Sequence, residues 1–376
     1  MDLSPRERII RVLTRHGELD RIPWSLHFGA SSAFTPGSYQ KFRQKTGTVN
    51  DVEAYDFPVR VAHSENEEPH FHTSSSNFGL RMTSNGISAD FFDPPLPLGA
   101  SLTPWGVGLI SWPENPGSEQ MVHPLANSRS LREIEEYPVP GIDQGSIPIV
   151  GERARRIRED HYISTAYCGS IYEWCHWLRG MEDFMIDLLS RPEIAQVLLN
   201  KIAEFTLQFA RIHAEAGVDI LCFYDDYGMQ GCLQINPSLW RKFLKPLWKQ
   251  ILSELRADFP HCFFFLHSCG HIQEIIPDLI EVGFDVIHPL QPECQDVEQL
   301  VVQYGDRMSF WGTISVQYTF PFGSKDDIEK EVKSRMDLAK IVPSLIISPS
   351  NTLGPEIPVD NIIAYIEACQ KYSPIW

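Results

Sequence analysis

The stretch FFFLHSCG, residues 263–270, indicates the class of fold. Three consecutive Phe residues do not form one face of an amphipathic helix. They are typical of a strand buried on both faces in a parallel sheet. His267 and Cys269 follow at a spacing of two, so both side chains point to the same side of an extended chain. The stretch therefore predicts a buried strand that ends in two residue types able to bind a metal.

Strands and helices alternate from residue 150 to the C-terminus. The strands are predicted near residues 22–28, 162–168, 219–225, 262–268, 284–289, 308–313 and 344–348, with one more inside 50–112. The helices are predicted over residues 190–217, 236–255 (kinked at Pro246), 271–281, 296–304, 325–340 and 358–371, besides one at the N-terminus capped by Ser4 with Glu7. Such alternation requires a parallel sheet with right-handed crossovers.

The predicted fold is a (β/α)8 barrel, with residues 1–376 as a single domain. An open, doubly wound sheet is the alternative, but no glycine-rich phosphate loop follows any strand. Residues 30–150 are predicted to be a long irregular covering segment, because Ser, Gly, Asn and Pro cluster there and helical periodicity is nearly absent. Its aromatic side chains predict that it packs on the barrel: Phe91, Phe92, Trp105 and Trp112.

Composition excludes several classes of function. The net charge of −17 opposes binding to nucleic acid. No run of about 18 apolar residues is present, so no membrane span is predicted. The eight cysteines are scattered, mostly in apolar runs, unlike a secreted disulfide framework. These features predict a soluble, reduced, cytoplasmic protein.

The active site of a (β/α)8 barrel lies at the C-terminal ends of its strands. The polar residues predicted at these ends are Asp225, Asp226 and His288 as catalytic groups, Tyr167, Gln291, Asn351 and Glu356 as substrate-binding groups, and His267 and Cys269 as metal ligands. Adjacent residues of a strand point to opposite sides, so at most one of the two aspartates faces the cavity. Capping for the aspartates, core packing for His288 and chance for the His-x-Cys pair remain open as alternatives.

The chain resembles the uroporphyrinogen decarboxylase superfamily. Within it, the chain is most similar to the branch of methylcobamide:coenzyme M methyltransferases and corrinoid-dependent O-demethylase methyltransferases. The segments that carry the resemblance are RERIIRVLTRHGELDRIP, WGVGLISW, HPLANSRSLREIEEYPVP, LRGMEDFMIDLLSRPE, AGVDILCFYDDYGMQ, INPSLWRKFLKP, FFLHSCGHIQEIIPDLIEVGFDVIHPLQPE, MSFWGTIS and GPEIPVDNIIAYIEA. The resemblance implies a (β/α)8 barrel as well.

The resemblance also has two departures. Uroporphyrinogen decarboxylases carry an Arg-rich R-Q-A-G-R-Y segment, whereas RIPWSLHFGASSAF here contains only Arg21 as a basic residue. The thiol methyltransferases pair H-x-C with a later Cys, and that position is Asn351 in SPSNTLGPEIP. The resemblance implies zinc at His267 and Cys269, with a third ligand from Asp225, Asp226, Glu356 or Cys294. A pocket without metal is the alternative.

The leading hypothesis is a methyltransferase that moves a methyl group between a small methylated substrate or thiol and a corrinoid on a partner protein. Zinc would act there as a Lewis acid. One alternative is a decarboxylase or lyase that acts on a small acid or a tetrapyrrole. Another is a non-catalytic barrel that binds a tetrapyrrole or a partner protein.

Overall fold

The computed structural model describes residues 2–48, 50–64, 79–92, 95–111 and 119–375. The strands are β1 (His27–Phe28), β2 (Ser31–Ser32), β3 (Val59–Val61), β4 (Met82–Thr83), β5 (Ser101–Leu102), β6 (Gly108–Ser111), β7 (Glu119–Val122), β8 (Gly141–Ile142), β9 (Ile163–Gly169), β10 (Ile220–Tyr224), β11 (Phe263–His267), β12 (Val286–His288), β13 (Ser309–Trp311) and β14 (Leu345–Ile346).

The α-helices are α1 (Pro5–Thr14), α2 (Pro36–Thr46), α3 (Asp51–Ala54), α4 (Leu131–Glu136), α5 (Ser146–Glu159), α6 (Tyr172–Arg179), α7 (Met181–Ser190), α8 (Pro192–Glu215), α9 (Pro237–Phe243), α10 (Lys245–Asp258), α11 (Ile276–Val282), α12 (Val297–Tyr304), α13 (Thr319–Phe322), α14 (Lys325–Ile341) and α15 (Val359–Tyr372). Among the described residues, no helix combines the length and the apolar character needed to cross a membrane.

Seven parallel strands form the central sheet, in the order β14-β13-β12-β11-β10-β9-β3. An eighth position is filled by residues 23–25. Trp24 forms a parallel bridge with Ile347, and the Ser25 N–H donates to the Ile347 carbonyl at 2.9 Å. The predicted (β/α)8 barrel is therefore confirmed. The strand predicted at residues 22–28 is reduced to this bridge and to β1, which pairs with β2 as a short hairpin.

The other predicted strands are found within a few residues of their expected positions, and β3 is the further strand expected inside 50–112. Several are shorter than predicted. β14 contains only Leu345 and Ile346, and β12 ends at His288, directly before Pro289. Proline has no N–H to continue a ladder, so a strand is readily terminated there.

Two helix predictions depend on single residues, and both are confirmed. Ser4 and Glu7 form the capping box of α1. Pro246 interrupts the predicted helix 236–255, which divides into α9 and α10 around Leu244. The interruption is a single residue, and Leu244 keeps a helical backbone conformation, as expected for a kink at a proline that removes a backbone donor and clashes with the preceding turn.

The segment of residues 30–150 contains short elements, among them the antiparallel sheet β5–β6–β7. Trp105 is 3% exposed and its ring lies 4.8 Å from that of Trp174. Phe92 is also buried, Phe91 is largely exposed, and Trp112 lies outside the described residues. The sequence pattern does not predict α2, since Tyr39 and Phe42 are its only large buried side chains among those described.

Candidate metal centre at the barrel mouth

Two histidines meet where neighbouring strands end. β11 and β12 pair in parallel with His267 opposite His288, and both residues are the last of their strands. Their Nδ1 atoms lie 2.9 Å apart. Cys269, two residues further along, places Sγ 3.2 Å from Nε2 of His267. The same-side orientation that the His-x-Cys spacing predicts is therefore present.

Asp226 adds a carboxylate from the loop after β10. Its Oδ1 accepts the Cys269 backbone N–H at 2.7 Å and lies 3.6 Å from Nε2 of His267. The donor atoms of Asp226, His267 and Cys269 all lie within 4.8 Å of one another. Among the described residues, Asp226, His267 and Cys269 are the one set of three or more His, Cys, Asp and Glu side chains close enough together to hold a metal ion.

Asp225 points away from this group. Its carboxylate accepts hydrogen bonds from Ser170 Oγ, from the backbone N–H groups of Tyr172 and Glu173, and from the Tyr227 hydroxyl. Burial raises the pKa of Asp225, although these donors act in the opposite direction. The carboxylate therefore joins the end of β10 to the start of α6, as an N-terminal cap does.

Asp225→Asn should destabilise the fold without affecting metal binding. An amide cannot accept from all four donors, and its NH2 group would face backbone N–H groups. We expect the free energy of unfolding to fall by about 3 kcal/mol, measured by urea unfolding in the presence of a chelator. The matched control is Asp226→Asn, which keeps an acceptor for the Cys269 N–H and should unfold at the wild-type urea concentration. Equal unfolding of both variants would contradict this assignment.

Asn351 contacts the sulfur of the group. Its Nδ2 donates to Cys269 Sγ at 3.0 Å. Its Oδ1 accepts the Thr352 backbone N–H at 2.7 Å, which orients the amide with its NH2 group toward the sulfur. Asn351 therefore acts on Cys269 as a hydrogen-bond donor in this structure.

Burial determines the protonation of the two central groups. It lowers the pKa of His267, against the opposing effect of the Asp226 carboxylate. It raises the pKa of the Cys269 thiol well above its usual range, and the charges of Asp226 and Glu173 add to this effect. Without a metal ion, the group therefore combines a neutral imidazole with a protonated thiol.

Glu173 is a site residue that the sequence analysis missed. It lies in the first turn of α6, and burial together with the charges of Asp226 and Asp225 raises the pKa of its carboxyl well above the usual range. From the region of β9 the sequence analysis selected Tyr167, whereas Glu173 follows the end of β9 by four positions. Residues that follow β9 into the start of α6 also lie at the C-terminal end of the barrel, and including them would have identified Glu173.

Aromatic rings enclose the two histidines. Phe28 stacks on His288 with ring centroids 4.2 Å apart and on His267 at 5.7 Å. Tyr224 stacks on the His267 ring at 5.1 Å. The sequence analysis did not assign Phe28 or Tyr224 to the site, because aromatic residues in strands are ordinary core residues.

The remaining predicted site residues lie around the group rather than in it. Tyr167 is buried in β9 with its ring 5.4 Å from Tyr224. Gln291 accepts the Gly270 N–H at 3.0 Å and so fixes the loop after β11. Glu356 is exposed. Cys294 is partly buried, and burial raises the pKa of its thiol to about 11. Neither Glu356 nor Cys294 belongs to the three-donor group.

A cavity of about 810 Å³ lies beside the barrel, between β3 and α5. Its lining includes Arg60, His63 and Arg153 but none of the three donors. The three donors therefore do not line this cavity, whereas His27 and Gly29, the neighbours of Phe28, do.

The fold and the donor group define a (β/α)8 barrel protein whose mouth holds a set of side chains suited to a metal ion. Residues 115–372 match the family described as uroporphyrinogen decarboxylase (URO-D). The chain belongs to this family, as its sequence resemblance predicts.

Relatives in the family differ in their named activities. The chain is 23% identical over 263 residues to the methylcobamide:CoM methyltransferase MtaA of Methanosarcina barkeri, covering 69% of this chain and 74% of the relative. It is also 23% identical over 258 residues to a uroporphyrinogen decarboxylase of Geobacter metallireducens, covering 65% and 71%. A solved methyltransferase from Methanosarcina mazei superposes with a TM-score of 0.64 at 16% identity, covering 99% of each chain.

Proposed function

We propose that the protein is a methyltransferase that moves a methyl group between a small methylated substrate or thiol and a corrinoid carried on a partner protein. The observation that carries this proposal is the group formed by Asp226, His267 and Cys269 at the barrel mouth. The similarity to MtaA supports it independently.

The donor set fits zinc. Tetrahedral zinc ligands at 2.0–2.3 Å from the ion are separated by about 3.3–3.8 Å. The distances from His267 Nε2 to Cys269 Sγ, 3.2 Å, and to Asp226 Oδ1, 3.6 Å, are close to this range. Asp226, His267 and Cys269 would hold the ion, and Asp226 would take the place of the third thiolate. When bound, zinc would lower the pKa of a thiol acceptor or polarise the leaving group of a methyl donor.

The protein side chains have separate roles in this proposal. His267 presents a neutral imidazole, and Cys269 would give up its proton to solvent on binding the ion. Asp226 also holds the Cys269 backbone N–H, which fixes the loop after β11. Burial and the charges of Asp226 and Asp225 raise the pKa of the Glu173 carboxyl, which would protonate the leaving oxygen or nitrogen of a methyl donor. Gln291 and Asn351 would orient the donors and the bound substrate.

A decarboxylase is the second candidate, because uroporphyrinogen decarboxylases are among the relatives. Its substrate would need cationic side chains to bind several carboxylates. Arg21, the basic residue of RIPWSLHFGASSAF, lies beside Asp20 and bridges Pro374 at the start of the first barrel strand. That is the opposite end of the strand from the mouth, so Arg21 does not support this alternative.

A turnover assay separates these functions. The purified protein is incubated with methylcobalamin and a panel of small thiols, and in reverse with reduced cobalamin and methyl ethers or methylamines. We expect methyl transfer, detected as the change in corrinoid absorbance, that saturates with substrate and is lost in Cys269→Ala. Release of CO2 from uroporphyrinogen would favour the decarboxylase. Saturable tetrapyrrole binding with no turnover would favour a non-catalytic barrel and contradict the proposal.

A further inference from the structure

His288 lies directly behind His267 and is fully buried. Its side chain has two polar contacts among the described residues. Its Nδ1 lies 2.9 Å from Nδ1 of His267, and its Nε2 lies 3.4 Å from the Pro349 carbonyl oxygen. His288 does not belong to the three-donor group, so any effect it has on a bound ion passes through His267.

The Pro349 carbonyl determines where the protons lie. A carbonyl oxygen only accepts, so the hydrogen bond requires a proton on Nε2 of His288. A neutral His288 then has a bare Nδ1, which accepts from Nδ1–H of His267. This leaves Nε2 of His267 without a proton, on the side that faces Cys269 Sγ at 3.2 Å and Asp226 Oδ1 at 3.6 Å. The chain of contacts therefore permits one tautomer at each histidine.

The surroundings of His288 keep its ring in this position. Phe28 lies against one face, with an interplanar angle of 8°. Gly312 lies at the ring edge with φ of +75°, and a Cβ there would lie 2.5 Å from His288 Cδ2 and Nε2. His288 is fully buried, and its side-chain partners among the described residues include no carboxylate, so a charged ring would lack a compensating anion and the neutral ring is favoured.

We propose that His288 is a positioning residue, which fixes His267 in the tautomer whose bare Nε2 faces the position of the metal ion. The tautomer is a property of the metal-free protein, whereas its use in zinc binding rests on the proposed function. A hydrogen bond to the second nitrogen of a ligating histidine fixes its orientation and typically changes metal affinity 10- to 100-fold.

Nitrogen NMR of the metal-free protein tests the tautomer directly. The wild-type chain is labelled with ¹⁵N-histidine, and the signals are assigned by comparison with His267→Gln and His288→Gln. We expect a protonated Nδ1 and a bare Nε2 at His267, and the reverse at His288. A protonated Nε2 at His267 would overturn the proposal. This result needs no bound zinc and no methyl transfer, so it is independent of the proposed function.

Zinc affinity tests the consequence, measured by competition with a chromophoric chelator. His288→Phe keeps an aromatic ring beneath Phe28 but removes the acceptor, and zinc affinity should fall about 10- to 100-fold. His288→Gln keeps an acceptor and should recover part of this loss. Equal affinities of the wild type and His288→Phe would overturn the proposal. If neither the wild type nor any variant binds zinc, the proposed metal centre is contradicted. The NMR result would still determine the tautomer.

Discussion

His267→Ala and Cys269→Ala should each empty the metal centre and lower the rate of methyl transfer by about 10³-fold. Each substitution leaves at most two of the donors Asp226, His267 and Cys269, which lie within 4.8 Å of one another. Four-ligand zinc sites bind with about 10–16 kcal/mol, or roughly 3 kcal/mol per ligand, so losing one ligand weakens binding by about two orders of magnitude. Losing the Lewis acid removes several kcal/mol of transition-state stabilisation.

The measurement is metal content by mass spectrometry after purification without added zinc, followed by the turnover assay. Cys232→Ala is the matched control, because Cys232 is exposed and not part of the donor group. It should retain wild-type zinc and activity. Zinc retained at wild-type stoichiometry in both His267→Ala and Cys269→Ala would rule out this centre.

The three carboxylates proposed as replacement ligands can be ranked by the same measurement. Asp226→Asn should lose zinc as Cys269→Ala does, because Asp226 is the carboxylate in the three-donor group. Asp225→Asn and Glu356→Gln should retain zinc, since Asp225 binds the start of α6 and Glu356 is exposed. Zinc loss in Glu356→Gln, with retention in Asp226→Asn, would assign the third ligand differently.

The barrel was predictable because its signals are local. FFFLH has the composition of a strand covered on both faces, and Pro246 interrupts a helix wherever it occurs. Helix α2 gives a weaker signal. The residues that cap it are visible in the sequence. Few of its side chains are buried, however, so its sequence shows little of the apolar periodicity that predicts a helix. The first barrel strand is reduced to one bridge at Trp24, a detail of tertiary pairing that no local pattern contains.

The site was predictable only in part, because its groups come from different loops. The spacing of His267 and Cys269 fixes their shared side, and the sequence also shows that one of Asp225 and Asp226 must face away. Which one faces the group depends on the position of α6, whose first N–H groups bind Asp225. The contact between His267 and His288 depends on the register of β11 and β12, which is a non-local property.

Asn351→Cys should increase zinc affinity by about 10²-fold. The resemblance to the thiol methyltransferases implies that Asn351 stands where they carry a third cysteine, and its Nδ2 already lies 3.0 Å from Cys269 Sγ. The substitution adds a thiolate, which zinc prefers to a neutral amide. It also removes a hydrogen bond that lowers the pKa of the Cys269 thiol, and this smaller effect opposes the deprotonation that binding requires.

The expected gain of about 10²-fold follows from one added ligand at roughly 3 kcal/mol. Chelator competition measures it, with Asn351→Ala as the control. That control removes the same hydrogen bond without adding a ligand, so it should retain zinc and change the affinity only slightly. An equal gain in both variants would assign the effect to the lost hydrogen bond and not to a new zinc ligand.

The double variant Asp226→Asn, Asn351→Cys gives the sharper test of whether Asp226 replaces the missing cysteine. Because Asp226→Asn removes one ligand and Asn351→Cys adds one, the double variant should regain close to wild-type zinc affinity. The single variant Asp226→Asn should remain about 10²-fold weaker. If Asn351→Cys leaves a metal-free protein metal-free, and no carboxylate variant changes its metal content, the protein is not a zinc methyltransferase. The acid-transforming and non-catalytic hypotheses would then be the stronger ones, because both dispense with a metal at the barrel mouth.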